Sequence, residues 1–339
     1  MISQTRRTLL KVAAVAPLAA SLSAPTRLLA AQTYTLKLGT DAPAGHPVNT
    51  AMAAAAQAIK AATSGQVELQ VFPNNQLGSS TDLITQVRAG AIQLLSTPTS
   101  VLSALVPAAA ICGVGFAFND YDTVWKAMDG DLGAYIRAQI ANSNLYTIDR
   151  IQDNGFRQIT TSTKPVKGLA DLQGLKIRVP VSPLWTSLFS ALQAAPTSIN
   201  FSELYSALQT KVVDGQENAL PIINSGRLYE VQKYVSNTNH MWDGYWVVAN
   251  NAAFNALPPN LRTVVEQQLR AAVMNQRAEI ASLNKSLQAK LQSSGMVFND
   301  VDTAAFRAAL TKAGFYANWK SKFGNEAWGI LERYSGKLA

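Results

Sequence analysis

Two segments of this chain carry residue types that can hold a small anion. Residues 171–174 (Asp-Leu-Gln-Gly) read as a turn running into a short strand over 175–179, which Pro180 closes. Alternate side chains of a strand face opposite sides, so Ile177 and Val179 are expected on the core face. Arg178 then points to the crevice at the sheet's carboxyl end, where open α/β folds bind ligands. A guanidinium there matches a carboxylate with two parallel N–H donors and stays charged at any physiological pH. A surface ion pair is the other ordinary fate of such an arginine. The second segment, Asp214-Gly215-Gln216-Glu217-Asn218, follows an amphipathic helical stretch and reads as a tight, amide-rich turn. Asp214 and Gly215 are expected to shape it, because Asp-Gly tolerates positive φ.

Catalytic chemistry finds little support. The histidines are His46 and His240 and the one cysteine is Cys112, too few for a metal cluster or a Cys-His pair. No nucleophile elbow, phosphate loop or dinucleotide fingerprint follows the first 31 residues. Two of the 21 acids meeting as a glycosidase pair is conceivable, but nothing favours it. No enzyme, cofactor or metal is expected. Cys112, within the apolar residues 108–118, reads as a buried small hydrophobe.

The elements that must position the anion-holding residues alternate between strand and helix patterns. Residues 34–38 alternate as a strand, 50–62 form an Ala-rich helix stopped by Gly65, and 66–72 alternate again. A helix over 80–89, ended by Gly90, and a buried strand over 92–96 complete a βαβ rhythm. Such a rhythm predicts a mainly parallel sheet with helices on both faces. A second rhythm begins near Asn154, with strands at 157–162 and 175–179 and helices at 182–192 and 202–210. Residues 245–249 read as a strand re-entering the first sheet. From Pro258-Pro259 onward, Leu261, Val265, Leu269, Val273, Ile280, Leu283, Leu287 and Leu291 keep helical spacing up to Gly295. That helix would reach about 50 Å. It must cross two domains or kink. Residues 303–338 read as an amphipathic helix whose aromatics pack inward.

At 339 residues, 48% hydrophobic and 15% charged, the chain is globular and long enough for two domains. Four of the positive charges behind its formal net +8 (Arg6, Arg7, Lys11 and Arg27) lie in residues 1–31, which contain no acid. The rest is only mildly basic and unclustered, against a nucleic-acid partner. Thr5-Arg6-Arg7, followed by an apolar stretch and by Ala30-Ala31, reads as an export leader of twin-arginine type, although ordinary Sec signals share such features. The apolar stretch is too short to span a bilayer. No cysteine stands at the expected cleavage point, so no lipid anchor is expected and the product should be free in the periplasm.

The runs NGFRQITTS, DLQGLKIRVP and FSELYSALQTKVVDGQEN, with FPNNQLG before them and YEVQKYVSNTNH after, resemble the extracytoplasmic solute-binding subunits of TRAP (tripartite ATP-independent periplasmic) transporters. The resemblance implies an α/β two-domain periplasmic binding protein, each domain a mostly parallel sheet flanked by helices, with the long helix spanning both. The expected boundaries are 34–154 with 244–283 for one domain and 155–243 with 284–339 for the other. In that family the arginine matching Arg178 clamps the substrate carboxylate, Arg157 matches a second arginine near it, and Asn218 matches a helper asparagine. Two guanidiniums in one closed cleft imply an anionic ligand, because burying unpaired charge costs several kcal/mol. The alternative for Arg157 is an ion pair at the domain junction.

Asp41 stands where the family often places a polar side chain, for ligand hydroxyls or equally for a helix cap. His240 belongs to a Thr-Asn-His run that the family keeps. Trp242 and Asp243 are candidates for the distal pocket, as are Phe201 and Trp185 for its walls. The implied partners are a small carboxylate and the integral-membrane permease subunits, with no direct membrane anchor and a monomeric receptor. A sugar acid (uronate or aldonate) leads, with an aromatic or aliphatic keto or hydroxy acid as alternative. A periplasmic sugar-acid enzyme and a ligand sensor are the readings from other classes.

Overall fold

The computed structural model describes residues 32–338, so the expected export leader lies outside the described residues. In chain order the first strands are β1 (Tyr34–Thr40), β2 (Val67–Phe72), β3 (Leu94–Pro98), β4 (Leu145–Thr147), β5 (Gln152–Thr161) and β6 (Lys176–Val179). Then come β7 (Ala195–Ser198), β8 (Gly215–Ala219), β9 (Tyr234–Asn237), β10 (Trp242–Asn250) and β11 (Val297–Asp300). They join in one sheet of order β2-β1-β3-β10-β5-β8-β6-β7, with β4 on β10 and the β9-β11 pair on β5.

Parallel pairing occupies both flanks: β1 with β2 and β3, and β6 with β7 and β8. Every antiparallel pairing involves β5 or β10. Helical crossovers generate the parallel flanks, as the βαβ rhythm requires. The two central strands carry the chain between flanks instead. They pair with each other, with a register shift between Asp243 and Gly244.

Local chemistry explains most boundaries. The helix Ser80–Ala89 starts at a capping box between Ser79 and Asp82 and ends at Gly90 in the left-handed region. The first helix, Pro47–Ala62, begins earlier than its alanine run suggests, because His46 caps it and Pro47 takes the first turn. The helix Pro259–Ser293 runs 35 residues without interruption. Its Leu261, Val265, Leu269 and Val273 pack with the core of the β1-β2 flank, and Leu291 packs with Leu204, Leu208 and Val213 on the other. Between these ends, Gln276 and Arg277 hydrogen-bond the backbone of Asp153 and Ile151. The chain from Thr33 on forms one compact unit.

Two expectations need correction. Residues 215–218 are not a turn but the buried strand β8, paired with β5 and β6. Gly215 does not use positive φ; a Cβ there would stand 2.5 Å from the Thr160 carbonyl oxygen, so close strand approach is what requires glycine. The final segment is not one helix: Gly314, whose φ is 71°, separates Thr303–Lys312 from Phe315–Ser335, and Gly324, whose φ is 83°, breaks the latter in turn.

Candidate ligand-binding site

The carboxyl ends of the parallel strands from both flanks converge on one pocket. Asp41 follows β1, Pro98 ends β3, Pro180 follows β6 and Phe201 follows β7, while the central strands add Asn154, Arg157 and Tyr245. The enclosed free space is small, about 20 Å³. A cavity needs about 10–15 Å³ on this measure to hold one water. The cleft is therefore shut.

Arg178 is 2% exposed and makes one hydrogen bond among the described residues, from Nε to the Ile199 carbonyl at 2.9 Å. It has no ion-pair partner among them. Ile177 and Val179 on either side are buried in the core, so strand alternation delivers Arg178 to the pocket. Burial pulls its pKa down to about 10; the nearby Glu217 and Asp41 carboxylates oppose this only in part, and the Arg157 charge adds to it. Such a group gains from any anion that reaches it.

Arg157 is in the opposite condition. Its Nε and Nη2 engage the Glu217 carboxylate, Nη2 also donates to the Glu217 carbonyl at 2.8 Å, and Nη1 donates to Asp243 Oδ2 at 3.1 Å. Burial alone would lower its pKa, but the Glu217 carboxylate outweighs this and raises it. Burial likewise pushes Glu217 up, and Arg157 with a bond from His240 more than reverses it, leaving a firmly ionised carboxylate. Asp243 stays raised because burial wins there, despite Arg157 and bonds from Thr99 and Ser100. Arg157 lines the pocket with its fork already occupied.

Asn218, in β8, also lines the pocket, and its Nδ2 donates to Gln216 Oε1 at 2.9 Å. Gln216 in turn donates to Thr160, whose hydroxyl reaches Gln232. This chain of amides satisfies a strand too polar to look buried from its sequence. Asp41 caps no helix. Its Oδ2 accepts from Ser80 Oγ at 2.6 Å, its Oδ1 is buried without a partner, and burial raises its pKa. Phe201 lines the pocket and packs with Ala42, Val48, Ile222 and Tyr245.

Four expected residues do not line the pocket. His240 donates from Nε2 to Glu217 at 3.1 Å while Thr238 sits 2.7 Å from Nδ1, and burial lowers its pKa, so the ring is neutral. Trp242 is buried edge-on to Trp125, its Nε1 donating to Asp153 at 3.0 Å. Asp243 reaches the site only through Arg157, Thr99 and Ser100. Trp185 is likewise core, packed where a Cβ on Gly113 would lie. Cys112 is buried and its thiol is pushed up to about 12, which leaves it unreactive.

The sequence reading missed Asn154 and Asn200. Both line the pocket, and the Oδ1 of each is buried without a partner. Asn200 occupies the N-cap of the helix Phe201–Gln209 without capping it. An asparagine at that position ordinarily satisfies the helix end. With Asp41 Oδ1, these atoms give the pocket three unpartnered acceptors around one unpaired cation. Once the cleft opens, these groups offer partners to one carboxylate and several hydroxyl donors. Among the described residues no group of three or more His, Cys, Asp or Glu is arranged to hold a metal.

Residues 38–318 match the family described as DctP, bacterial extracellular solute-binding protein, family 7. A solute-binding protein of Roseobacter denitrificans is 35% identical over 84% of this chain and 86% of its own. The 2,3-diketo-L-gulonate-binding periplasmic protein of Escherichia coli is 32% identical over 73% and 76%. A crystal structure of the Roseobacter denitrificans TRAP periplasmic solute-binding protein with bound L-galactonate superposes at a TM-score of 0.83, at 32% identity, covering 89% of this chain and 99% of that one. A TRAP periplasmic solute-binding protein of Sulfurospirillum deleyianum with bound succinate gives 0.84 at 26% identity, over 90% and 99%. Sequence and shape thus agree over nearly the whole described chain, and the protein belongs to the DctP family of TRAP-transporter solute-binding proteins, which are receptors and not enzymes.

Proposed function

We propose that this chain is a periplasmic receptor that captures a sugar-acid monoanion, an aldonate or uronate, and hands it to the membrane permease of its transporter. The observation that carries this reading is Arg178, buried without an ion pair among the described residues and sharing its pocket with acceptor oxygens that have no partner among them. A carboxylate on Arg178 gains charge-assisted bonds of about 1.5–3 kcal/mol each. Hydroxyls along the remaining carbon chain satisfy Asp41, Asn154 and Asn200. Relatives that bind galactonate and diketogulonate support the ligand class.

The shut cleft must open to admit a six-carbon acid. In this reading the two flanks swing about β5, β10 and the long helix, with 34–154 and 244–283 moving against 155–243 and 284–339. Closure is driven by the ligand's higher affinity for the closed form. A periplasmic location accords with the leader expected over residues 1–31, and no helix among the described residues is long and apolar enough to cross a membrane. A thermal-shift screen over aldonates, uronates, keto acids and aromatic acids tests the class, because binding raises the melting temperature by mass action. Stabilisation by hydroxylated acids, abolished in Arg178→Ala, is the expected result. Stabilisation by aromatic or keto acids alone would replace the sugar-acid reading.

A further inference from the structure

The pocket has an unusual charge balance. Two guanidiniums, Arg157 and Arg178, and three carboxylates, Asp41, Glu217 and Asp243, are buried in it or directly against it. Glu217 and Asp243 are engaged by Arg157, which leaves one cation and one acid facing the same space. These two come from opposite flanks of the sheet, Arg178 in β6 and Asp41 after β1. No ion pair joins them among the described residues, yet they lie within electrostatic reach of each other. Asp41 accepts from the Ser80 hydroxyl at 2.6 Å, with the Tyr245 hydroxyl nearby and the Asp243 charge adding repulsion. Its Oδ1 has no partner.

We infer that Asp41 makes this receptor selective for acids carrying a single carboxylate, and that it excludes diacids of the same length. The inference rests on the sugar-acid reading for the hydroxylated remainder of the ligand. A ligand anchored on Arg178 and reaching across the pocket meets Asp41 on the opposite flank. A hydroxyl there donates to Oδ1 and fills a missing bond at no cost in charge. A carboxylate there meets another carboxylate, and the second guanidinium lining the pocket, Arg157, is already committed to Glu217 and Asp243. Like charges at close range in a desolvated site disfavour each other strongly. Burial raises the proton affinity of Asp41, so a diacid enters only with a proton shared between the two carboxyls. An attractive site for one end combined with a repulsive one for the other is how discrimination between close analogues is built.

Titration calorimetry with galactonate and with galactarate, the same six-carbon chain carboxylated at both ends, tests this on the full folded chain. The expected result is at least about 100-fold preference for galactonate in the wild type. Asp41→Asn should narrow that ratio at least tenfold, mainly through tighter galactarate binding. Equal affinities in the wild type, or an unchanged ratio in a folded Asp41→Asn protein, would overturn the inference. If Asp41→Asn does not fold, the wild-type ratio decides by itself. If no aldonate or uronate binds while another monoacid does, the sugar-acid reading falls. The charge rule is then decided by that monoacid against the diacid of equal length.

Discussion

Arg157 and Arg178 are both buried, line the same pocket and sit on strands of the same sheet, yet they are electrostatic opposites. On the central strand β5, Arg157 is enclosed by two carboxylates and its pKa is raised. On the flank strand β6, Arg178 has one backbone partner and its pKa is pulled down to about 10. Residue type and burial are equal, so the difference lies wholly in what surrounds each guanidinium. A satisfied charge fixes the scaffold, because it can be neither removed nor moved cheaply. An unsatisfied one is tolerated at a cost to stability and, in the proposed receptor, supplies the differential affinity that ligand capture needs.

The comparison breaks most visibly through Arg157→Met. Removing that side chain leaves Glu217 and Asp243 buried without their cation, and a loss of about 3–5 kcal/mol in unfolding free energy is expected in urea denaturation. Arg178→Met should behave inversely. Its unfolding free energy should equal or exceed that of the wild type. Its affinity for the carboxylate ligand should fall by about 3 kcal/mol or more in calorimetry, the worth of two charge-assisted bonds. A destabilised Arg178→Met protein would mean that Arg178 has a structural partner after all.

Smaller effects sharpen the contrast. Asn154→Ala and Asn200→Ala each remove an Oδ1 acceptor that has no partner among the described residues, the latter with a 3.4 Å bond from Nδ2 to Thr81. Each should weaken binding by about 1 kcal/mol and leave the unliganded melting temperature nearly unchanged.

A pH-dependent test concerns Asp153, a third kind of buried acid, held by the Trp242 indole and by no ion pair among the described residues. Burial raises its pKa to about 7. Between the ordinary aspartate value of about 3.9 and about 7, the folded chain keeps a proton that the unfolded chain has lost. This contribution to stability is full at low pH and is lost as pH rises through about 7. Asp153→Asn should flatten that part of the stability profile, and an unchanged slope would contradict the assignment.

The sequence exposed Arg178 because strand alternation is a local rule, and Ile177 and Val179 announce which face is core. It also located the helix Ser80–Ala89 and the long helix, whose caps and spacing are local signals. The strand β8 was hidden. Gly-Gln-Glu-Asn has the composition of a turn, and only partners far along the chain, Thr160, Gln232 and Arg157, make it fit to be buried. Asn154 and Asn200 were hidden for a related reason, since an unpartnered oxygen can be recognised only once all its neighbours are placed. The pairing of Trp242 with Asp153 likewise depends on how β10 lies against β5.

The position of β10 also sets a timetable for folding. Lying between β3 and β5, it pairs Tyr245 with Pro98 across more than a third of the chain. The β1-β2-β3 flank, although encoded first, keeps an open edge at β3 until residue 250 has emerged. Non-local pairing of this kind slows folding and leaves a sticky intermediate. A chain cut off before β10 would carry two unpaired central edges, at β3 and β5, and such edges recruit other chains. A ribosome making this receptor therefore displays an aggregation-prone half-sheet for much of its transit, and the strand that relieves it arrives with the wall of the binding pocket.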